Sequence, residues 1–399
     1  MKAPWSRVRV AGPLAPYVGG FAEDLAVKGY AESTVAEHVR LIAQLSRWMA
    51  DRSLETGDLT PARVEQFVQV RTDRLAHRPL EPLLEYLRRM RLVPAPAPPM
   101  PTVSVIGGLL GRYRQYLLDE RGLVETTVRE YERRARVFLS QRTSRSELPF
   151  EGLTAAEIKQ FVLRECERRS VGSAKCLTKA LRSLLRFAFV QGWTATDLIT
   201  AVPAVANWQA SALPRALDAR RVALLMASCD RSTATGRRDY AILHLLTRLG
   251  LRAGEVAGLD LGDVSWRRGE LLIRGKGRRQ EQLPLPVDVG EAVCDYLRHG
   301  RPRAECRRLF LRARAPICGL TVAAIECVVR LACVRAGLPA VGPHRLRHTA
   351  ATEMLRNGAS LLEIGQVLRH RSLATTAIYA KVDRSALRGL AQPWPGGDA

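Results

Sequence analysis

Two stretches of this 399-residue chain repeat one another, and that repeat limits the fold of the first half more than any other feature. The run from Gly29 to Val35 (GYAESTV) lies over Gly122 to Val128 (GLVETTV), 93 residues later. Leu59 to Val68 (LTPARVEQFV) lies over Leu153 to Val162 (LTAAEIKQFV) at an offset of 94. Leu83 to Tyr86 then matches Leu184 to Phe187 at an offset of 101, so the second copy carries a short insertion around Ser170 to Cys176. Self-similarity on this scale marks a duplicated domain. In each copy apolar residues recur at three- and four-residue intervals, which predicts helices, and Glu32-Ser33-Thr34 and Glu125-Thr126-Thr127 stand where N-caps belong. Each copy is expected to be a small all-α bundle.

The low-complexity run PAPAPPMP, Pro94 to Pro101, reads as a stiff extended linker. A second, weaker boundary lies at Ala201 to Pro214, where helical periodicity lapses between prolines. Three domains are expected, near 15–93, 102–205 and 214–390. From Leu217 onward the pattern is two helices, a short β region and several further helices. The β region comprises Asp263 to Trp266, Glu270 to Arg274 and Gln280 to Pro284, with turns at Arg268-Gly269 and Gly275-Lys276-Gly277. Val322 to Arg335 and His344 to Asn357 have helical period, with Gly337 and Gly358 as C-terminal stops. The fold class is therefore mainly α with a small antiparallel sheet.

Charge narrows the function. The 62 Lys and Arg exceed the 39 Asp and Glu by 23, and the basic residues are spread along the chain, which suits an extended phosphate-contacting surface. A solvated basic face without a ligand is the weaker alternative. The eight cysteines include no CxxC pair, so a zinc ribbon or dithiol site lacks its spacing, and they read as reduced, mostly packing cysteines. No signal-peptide run opens the chain and no apolar stretch of spanning length follows, so a cytoplasmic, nucleoid-associated protein without membrane contact is expected.

Four features of the third segment could carry chemistry: Arg252 and Glu255 in GLRAGE, Lys276 in a glycine-flanked turn, His344 and Arg347 in HRLRH, and His370 nine residues before Tyr379. Each has a bland reading: a surface salt bridge, a hairpin tip, a helix-face tyrosine. His344 and His348, four apart, could face one metal. A zinc-protease helix, however, would have Glu where Arg345 stands, and Arg347 would add positive charge beside the cation. An arginine three residues after a histidine suits an anion better, and Arg345 and His348 read as structural or backbone-contacting residues. Two arginines, a lysine, histidines and a tyrosine supply what metal-free phosphodiester transfer needs: cationic forks for the non-bridging oxygens, an acid for the leaving oxygen and a nucleophile.

The run from Thr247 to Asp263 (TRLGLRAGEVAGLDLGD), with Pro343 to Val382 (PHRLRHTAATEMLRNGASLLEIGQVLRHRSLATTAIYAKV), resembles the two arginine boxes and the nucleophile region of the tyrosine recombinases, the phage integrase family. The likeness covers 214–390 closely, and 110–205 resembles the family's helical core-binding domain less sharply. Together with the repeat, it implies two helical, SAM-like DNA-binding domains ahead of a catalytic domain. By resemblance Tyr379 would attack the scissile phosphate to give a 3′-phosphotyrosine, Arg252 and Arg347 would clamp that phosphate, and Lys276 would protonate the departing 5′-oxygen. His344 would be the acid/base residue near the nucleophile, His370 a phosphate hydrogen-bond donor, and Glu255 a brace for neighbouring side chains. No metal and no nucleotide cofactor is implied. Double-stranded DNA would be the partner, bound by a homo-tetramer.

Two departures stand out. Arg369 occupies the place before the last histidine where the family usually has glycine, and the domain at 15–93 is extra. The duplicated clamp favours integration, excision or transposition of a mobile element over chromosome or plasmid dimer resolution. A type IB topoisomerase, or a DNA-binding regulator with a decayed site, is the reading from another class. The helix expected at Asp383 to Leu390 carries a short apolar face suited to a neighbouring protomer, and Gln392 to Ala399 reads as a frayed tail.

Overall fold

The structure, a computed structural model, describes residues 8–70, 80–94, 105–143, 150–205, 216–275, 280–370 and 373–382. Helices α1 (Val18–Val27), α2 (Glu32–Ala50), α3 (Pro61–Val70) and α4 (Glu81–Arg89) close around a core that includes Phe21, Leu25, Val39, Leu45, Met49 and Leu87. In α2 the buried Val35, Val39, Ile42, Leu45 and Met49 recur at intervals of three and four, which is one face of the helix. Helices α5 (Val105–Gln115), α6 (Glu125–Thr143), α7 (Ala155–Glu167) and α8 (Val171–Val190) surround a separate core around Tyr113, Leu117, Phe138, Phe161, Leu184 and Phe187. Helices α2 and α6 have 19 residues each.

The expected caps fall differently. Glu32-Ser33-Thr34 and Glu125-Thr126-Thr127 form the first turns of α2 and α6, where an acidic residue meets the positive end of the helix dipole; the N-cap of α2 is Ala31, which makes no side-chain cap bond. Side-chain capping occurs later, at Thr154 of α7, with Glu157 completing the reciprocal pair, and at Ser170 of α8.

The third segment begins with α9 (Ala219–Ala227), α10 (Ala234–Arg248) and α11 (Ala253–Gly258). Strands β1 (Val264–Ser265), β2 (Glu270–Arg274) and β3 (Gln280–Pro284) form an antiparallel sheet in that order, Leu271 pairing with Leu283 and Arg274 with Gln280. Leu271 and Ile273 alternate into the core, as period two requires. Helices α12 (Val287–His299), α13 (Val322–Arg335), α14 (Pro343–Arg356), α15 (Leu361–Val367) and α16 (Leu373–Thr376) follow, with a 3₁₀ turn over Ala377–Val382. Helix α10 is the axle: Ala241, Ile242, Leu243, Leu245 and Leu246 are buried on adjacent faces, and it packs on α12 and α14. Gly337 and Gly358 have the positive φ of helix stops, at 65° and 89°.

The chain divides into two compact units, Ala95–Ser211 and Met1–Pro94 together with Ala212–Ala399. Within the latter unit Ile317 donates its backbone N–H to Lys28 O at 2.9 Å, and its side chain fills the space where a Cβ on Gly29 (φ +81°) would stand. Of the cysteines Cys229 and Cys333 are buried, Cys166, Cys294, Cys306 and Cys327 are half-buried, and Cys176 and Cys318 are exposed. No helix among the described residues is long and apolar enough to cross a membrane.

Candidate active site

The site is assembled where the chain leaves α10 and where it leaves α15. Gly250 turns back with φ +58°, and a Cβ there would stand 2.6 Å from Leu368 Cδ2 and 3.3 Å from the Ala350 methyl, so this approach requires glycine. Arg347 on α14, 3% exposed, donates through Nη1 to Gly250 O at 2.6 Å and through Nη2 to Leu368 O. One guanidinium thereby ties both turns together. Burial, then the neighbouring Arg252 and Arg369, lowers its pKa to about 10, which leaves it cationic at neutral pH.

Arg252 opens α11 as its N-cap. Its backbone N–H donates to Glu255 Oε2 at 2.8 Å and its Nη1 to Glu255 Oε1 at 2.7 Å. The side chain stays 47% exposed, a cation anchored at one edge and open at the other. Arg369 reaches the same carboxylate, Nη2 donating to Oε2 at 2.6 Å, and both side chains of that pair are buried. Burial alone would raise the Glu255 pKa; Arg369 and the bonds from Arg252 outweigh it and hold the group below the usual carboxylate range. Arg369 itself adopts the left-handed conformation, φ 55°, that glycine ordinarily supplies. Its side chain turns inward, and its carbonyl accepts from Arg252 Nη2 at 3.4 Å.

The tyrosine lies behind this cationic wall. Tyr379 is 1% exposed, its Oη is 2.9 Å from His348 Nδ1, and its ring is nearly parallel to that of His370, centroids 6.4 Å apart. Burial, opposed by Arg347, pushes its pKa up to about 12. His370 Nδ1 is 2.8 Å from the hydroxyl of buried Thr376, which fixes the ring. Burial, followed by His344 and Arg347, lowers the His348 pKa to about 4. The same cause, with Arg347 and Arg252 next, lowers that of His370 to about 4. Burial, Arg347 and Arg252 also lower that of His344. All three imidazoles are neutral at neutral pH.

Arg252, His344 and Arg347 line one cleft of about 520 Å³ with Glu326, Arg330 and Pro343. Of the residues singled out in the sequence, Arg252, Glu255, Arg347, His370 and Tyr379 come together through the contacts above. His344 joins through its ring, 4.5 Å from that of His348, and it is His348 that contacts the tyrosine hydroxyl. Lys276 lies outside the described residues, between the paired strands β2 and β3. Sequence reasoning passed over two members of the cluster. His348 shares a helix face with His344 at i+4, a signal weighed only for metal binding; Arg369 stood out as a missing glycine, whereas its side chain is half of a buried ion pair. Among the described residues no group of three His, Cys, Asp or Glu is placed to hold a metal ion.

A sequence model of the Phage integrase family matches residues 215–385. "Putative integrase/recombinase y4rA" of Sinorhizobium fredii is 41% identical over 391 residues, 96% of this chain and 95% of that protein. The "Tyrosine recombinase XerD" of Listeria innocua is 30% identical, covering 71% of this chain and 96% of the relative. Among solved structures, XerH site-specific recombinase bound to palindromic difH substrate is similar with a TM-score of 0.58 at 20% identity, covering 72% of this chain and 85% of that one. A lambda integrase dimer bound to a COC' core site gives 0.55 at 18% identity, covering 84% and 89%. These two show the shared fold. The first two relatives, matched over almost their whole length, carry the conclusion that the chain belongs to the phage integrase family, the tyrosine-type site-specific DNA recombinases.

Proposed function

We propose that this chain binds double-stranded DNA and cuts and rejoins it through a 3′-phosphotyrosine on Tyr379. The observation that carries the reading is the common frame of clamp and nucleophile: Arg347 is bonded to the turns at Gly250 and Leu368, one beside Arg252 and the other beside His370, whose ring stacks on Tyr379. Arg252 and Arg347 hold the non-bridging oxygens and stabilise the charge of the pentavalent transition state. His370, fixed through Nδ1, offers its other ring nitrogen to the phosphate. Lys276 protonates the 5′-oxygen, and Glu255 keeps Arg252 in place. Because the broken phosphodiester is exchanged for a phosphotyrosine, neither metal nor nucleotide cofactor is required.

Charge supports the DNA partner. Residues 212–399 hold 31 Lys and Arg against 17 Asp and Glu, residues 95–211 hold 17 against 11, and residues 1–94 hold 14 against 11. The protein acts on the nucleoid, in the cytoplasm, as a homo-tetramer joining two duplexes, with three domains near 15–93, 102–205 and 214–390. The matched runs at offsets of 93 and 94 support the first domain as a duplicate of the second. Movement of a mobile element is favoured over dimer resolution, since the relative described as an integrase/recombinase aligns with 96% of this chain and the XerD relative with 71%.

Covalent trapping tests the reading. Wild type and Tyr379→Phe are incubated with labelled DNA from the ends of the element or replicon carrying the gene, then denatured. An adduct on wild type alone is expected. Binding by both without any adduct, even on nicked DNA, would favour a DNA-binding regulator; relaxation of supercoils at arbitrary sequence by the monomer would favour a topoisomerase.

A further inference from the structure

We propose that His348 is the acid/base partner of the nucleophile, its Nδ1 accepting the hydrogen bond of the Tyr379 hydroxyl and then its proton as Oη attacks phosphorus. The inference rests on the reading of Tyr379 given above and adds the route of its proton. In cleavage the Oη–P bond forms and the P–O5′ bond breaks. The phenolic proton passes to His348 Nδ1 while O5′ takes one from the general acid assigned to Lys276. In rejoining, the 5′-hydroxyl attacks phosphorus and gives its proton back to the group assigned to Lys276, Tyr379 leaves, and the His348 imidazolium returns its proton to Oη, as reversibility demands.

Three observations favour this residue. The 2.9 Å contact joins His348 Nδ1 to the reacting oxygen itself. Tyr379 is 1% exposed, which keeps bulk water from serving as base. The other groups at hand, His344 apart, are occupied or cationic. His370 uses Nδ1 on Thr376 and meets the tyrosine ring to ring; Arg347 is a donor only; Glu255, on α11, is engaged by Arg252 and Arg369. His344 stands one helical turn earlier, its ring against that of His348.

The charged and titratable groups around His348 are His344 and Arg347 on its own helix, His370 from the turn after α15 and Tyr379 from the 3₁₀ turn. In the free protein burial, with His344 and the Arg347 cation beside it, keeps the imidazole neutral, ready to accept but weakly basic. A phosphodiester anion seated between Arg252 and Arg347 reverses the sign of the local field and favours the imidazolium. Proton transfer is thereby coupled to arrival of the substrate.

His348→Asn is the discriminating variant, because an asparagine side-chain oxygen replaces Nδ1 as acceptor but cannot take the proton. Single-turnover cleavage of a nicked duplex is measured against pH with full-length wild type, His348→Asn and Tyr379→Phe. His348→Asn is expected to bind DNA as wild type does, to form the adduct on the order of 10²-fold more slowly, and to lose the rise of rate with pH. Placing the more acidic 3-fluorotyrosine at position 379 is expected to restore more rate in His348→Asn than it adds to wild type. Equal effects in both backgrounds, or a wild-type rate and pH profile in His348→Asn beside an inactive Tyr379→Phe, overturn the proposal alone. An adduct formed by Tyr379→Phe overturns the nucleophile and the proposal with it. Should His348→Asn fail to fold, the ¹⁵N shifts of wild-type His348 decide: an unprotonated Nδ1 supports the assignment, and an Nδ1–H overturns it.

Discussion

The two halves of the site hold their groups by opposite means. Around α11, Arg252, Glu255 and Arg369 form a charged chain in which one buried carboxylate serves two guanidiniums. Around α14 and the final turn, His348, His370 and Tyr379 form a neutral set with no carboxylate contact among the described residues, held by hydrogen bonds and ring packing. The first half keeps its charge in every state and leaves an edge of Arg252 open to an anion. The second suppresses charge until an anion arrives. Permanent charge suits holding a phosphate; suppressed charge suits storing a proton for transfer. Arg347 belongs to both, since it is bonded to a backbone carbonyl in each of the turns that carry them.

Removing that shared member should do most damage. Arg347→Ala is expected to slow cleavage about 10³-fold, the scale of losing a transition-state donor, and to destabilise the fold by about 3 kcal/mol as two buried carbonyls lose their donor. Single-turnover cleavage and denaturant titration read the two effects; a loss of rate without any loss of stability would separate clamp from frame.

Next comes the charged half. Glu255→Gln leaves Arg369 as a buried cation without its counter-charge and should cost about 3 kcal/mol, together with a slower cleavage step as Arg252 loses its anchor. Wild-type thermal stability in this variant would mean that the carboxylate is not what supports this half.

The halves should also titrate apart. His348 and His370 have folded pKa values of about 4, below the ordinary imidazole value of about 6.5. Between those limits the unfolded chain binds more protons, so stability is complete above about pH 6.5 and falls as the pH drops towards 4. Glu255, with its pKa lowered, contributes stability that is lost only below the ordinary carboxylate range. Denaturation midpoints at pH 7 and pH 5 should therefore differ for wild type, and the difference should shrink when both histidines are replaced by asparagine, the remainder coming from His344 and the other buried histidines, while Glu255→Gln leaves it largely intact.

The smallest effect is expected from Arg369→Gly. Glycine relieves a left-handed backbone by about 1 kcal/mol, and Glu255 keeps Arg252 as a partner, so the net loss should stay below about 2 kcal/mol in the same titration. A loss as large as that of Glu255→Gln would show that the Arg369 pair, not Arg252, keeps the carboxylate ionised.

Much of this was legible in the sequence. Helix periods, the strand runs and the stops at Gly337 and Gly358 depend on local geometry, and α13 runs from Val322 to Arg335 as its pattern predicts. Arg252, Arg347 and Tyr379 were singled out through motif spacing, and the fold brings them close together. His348 was not, because its role depends on the fold bringing residue 379 onto its helix face, and an i, i+4 histidine pair has several meanings in isolation. Arg369 misled for a related reason: a side chain in place of a glycine reads as a disturbance until the distant Glu255 is seen to receive it. The capping residues of α2 and α6 were displaced by a turn because polar residues at a helix start fit either the cap or the first turn.

The Arg369–Glu255 pair also constrains how this sequence can change over generations. Replacement of Arg369 alone removes one of the two guanidiniums holding Glu255; loss of Glu255 alone strands Arg369 inside the protein. The two single steps differ: loss of Arg369 leaves Glu255 paired with Arg252, whereas loss of Glu255 leaves a lone buried charge. The arginine thereby binds position 255 to a carboxylate: a neutral residue there avoids a stranded cation only with a coupled substitution 114 residues away.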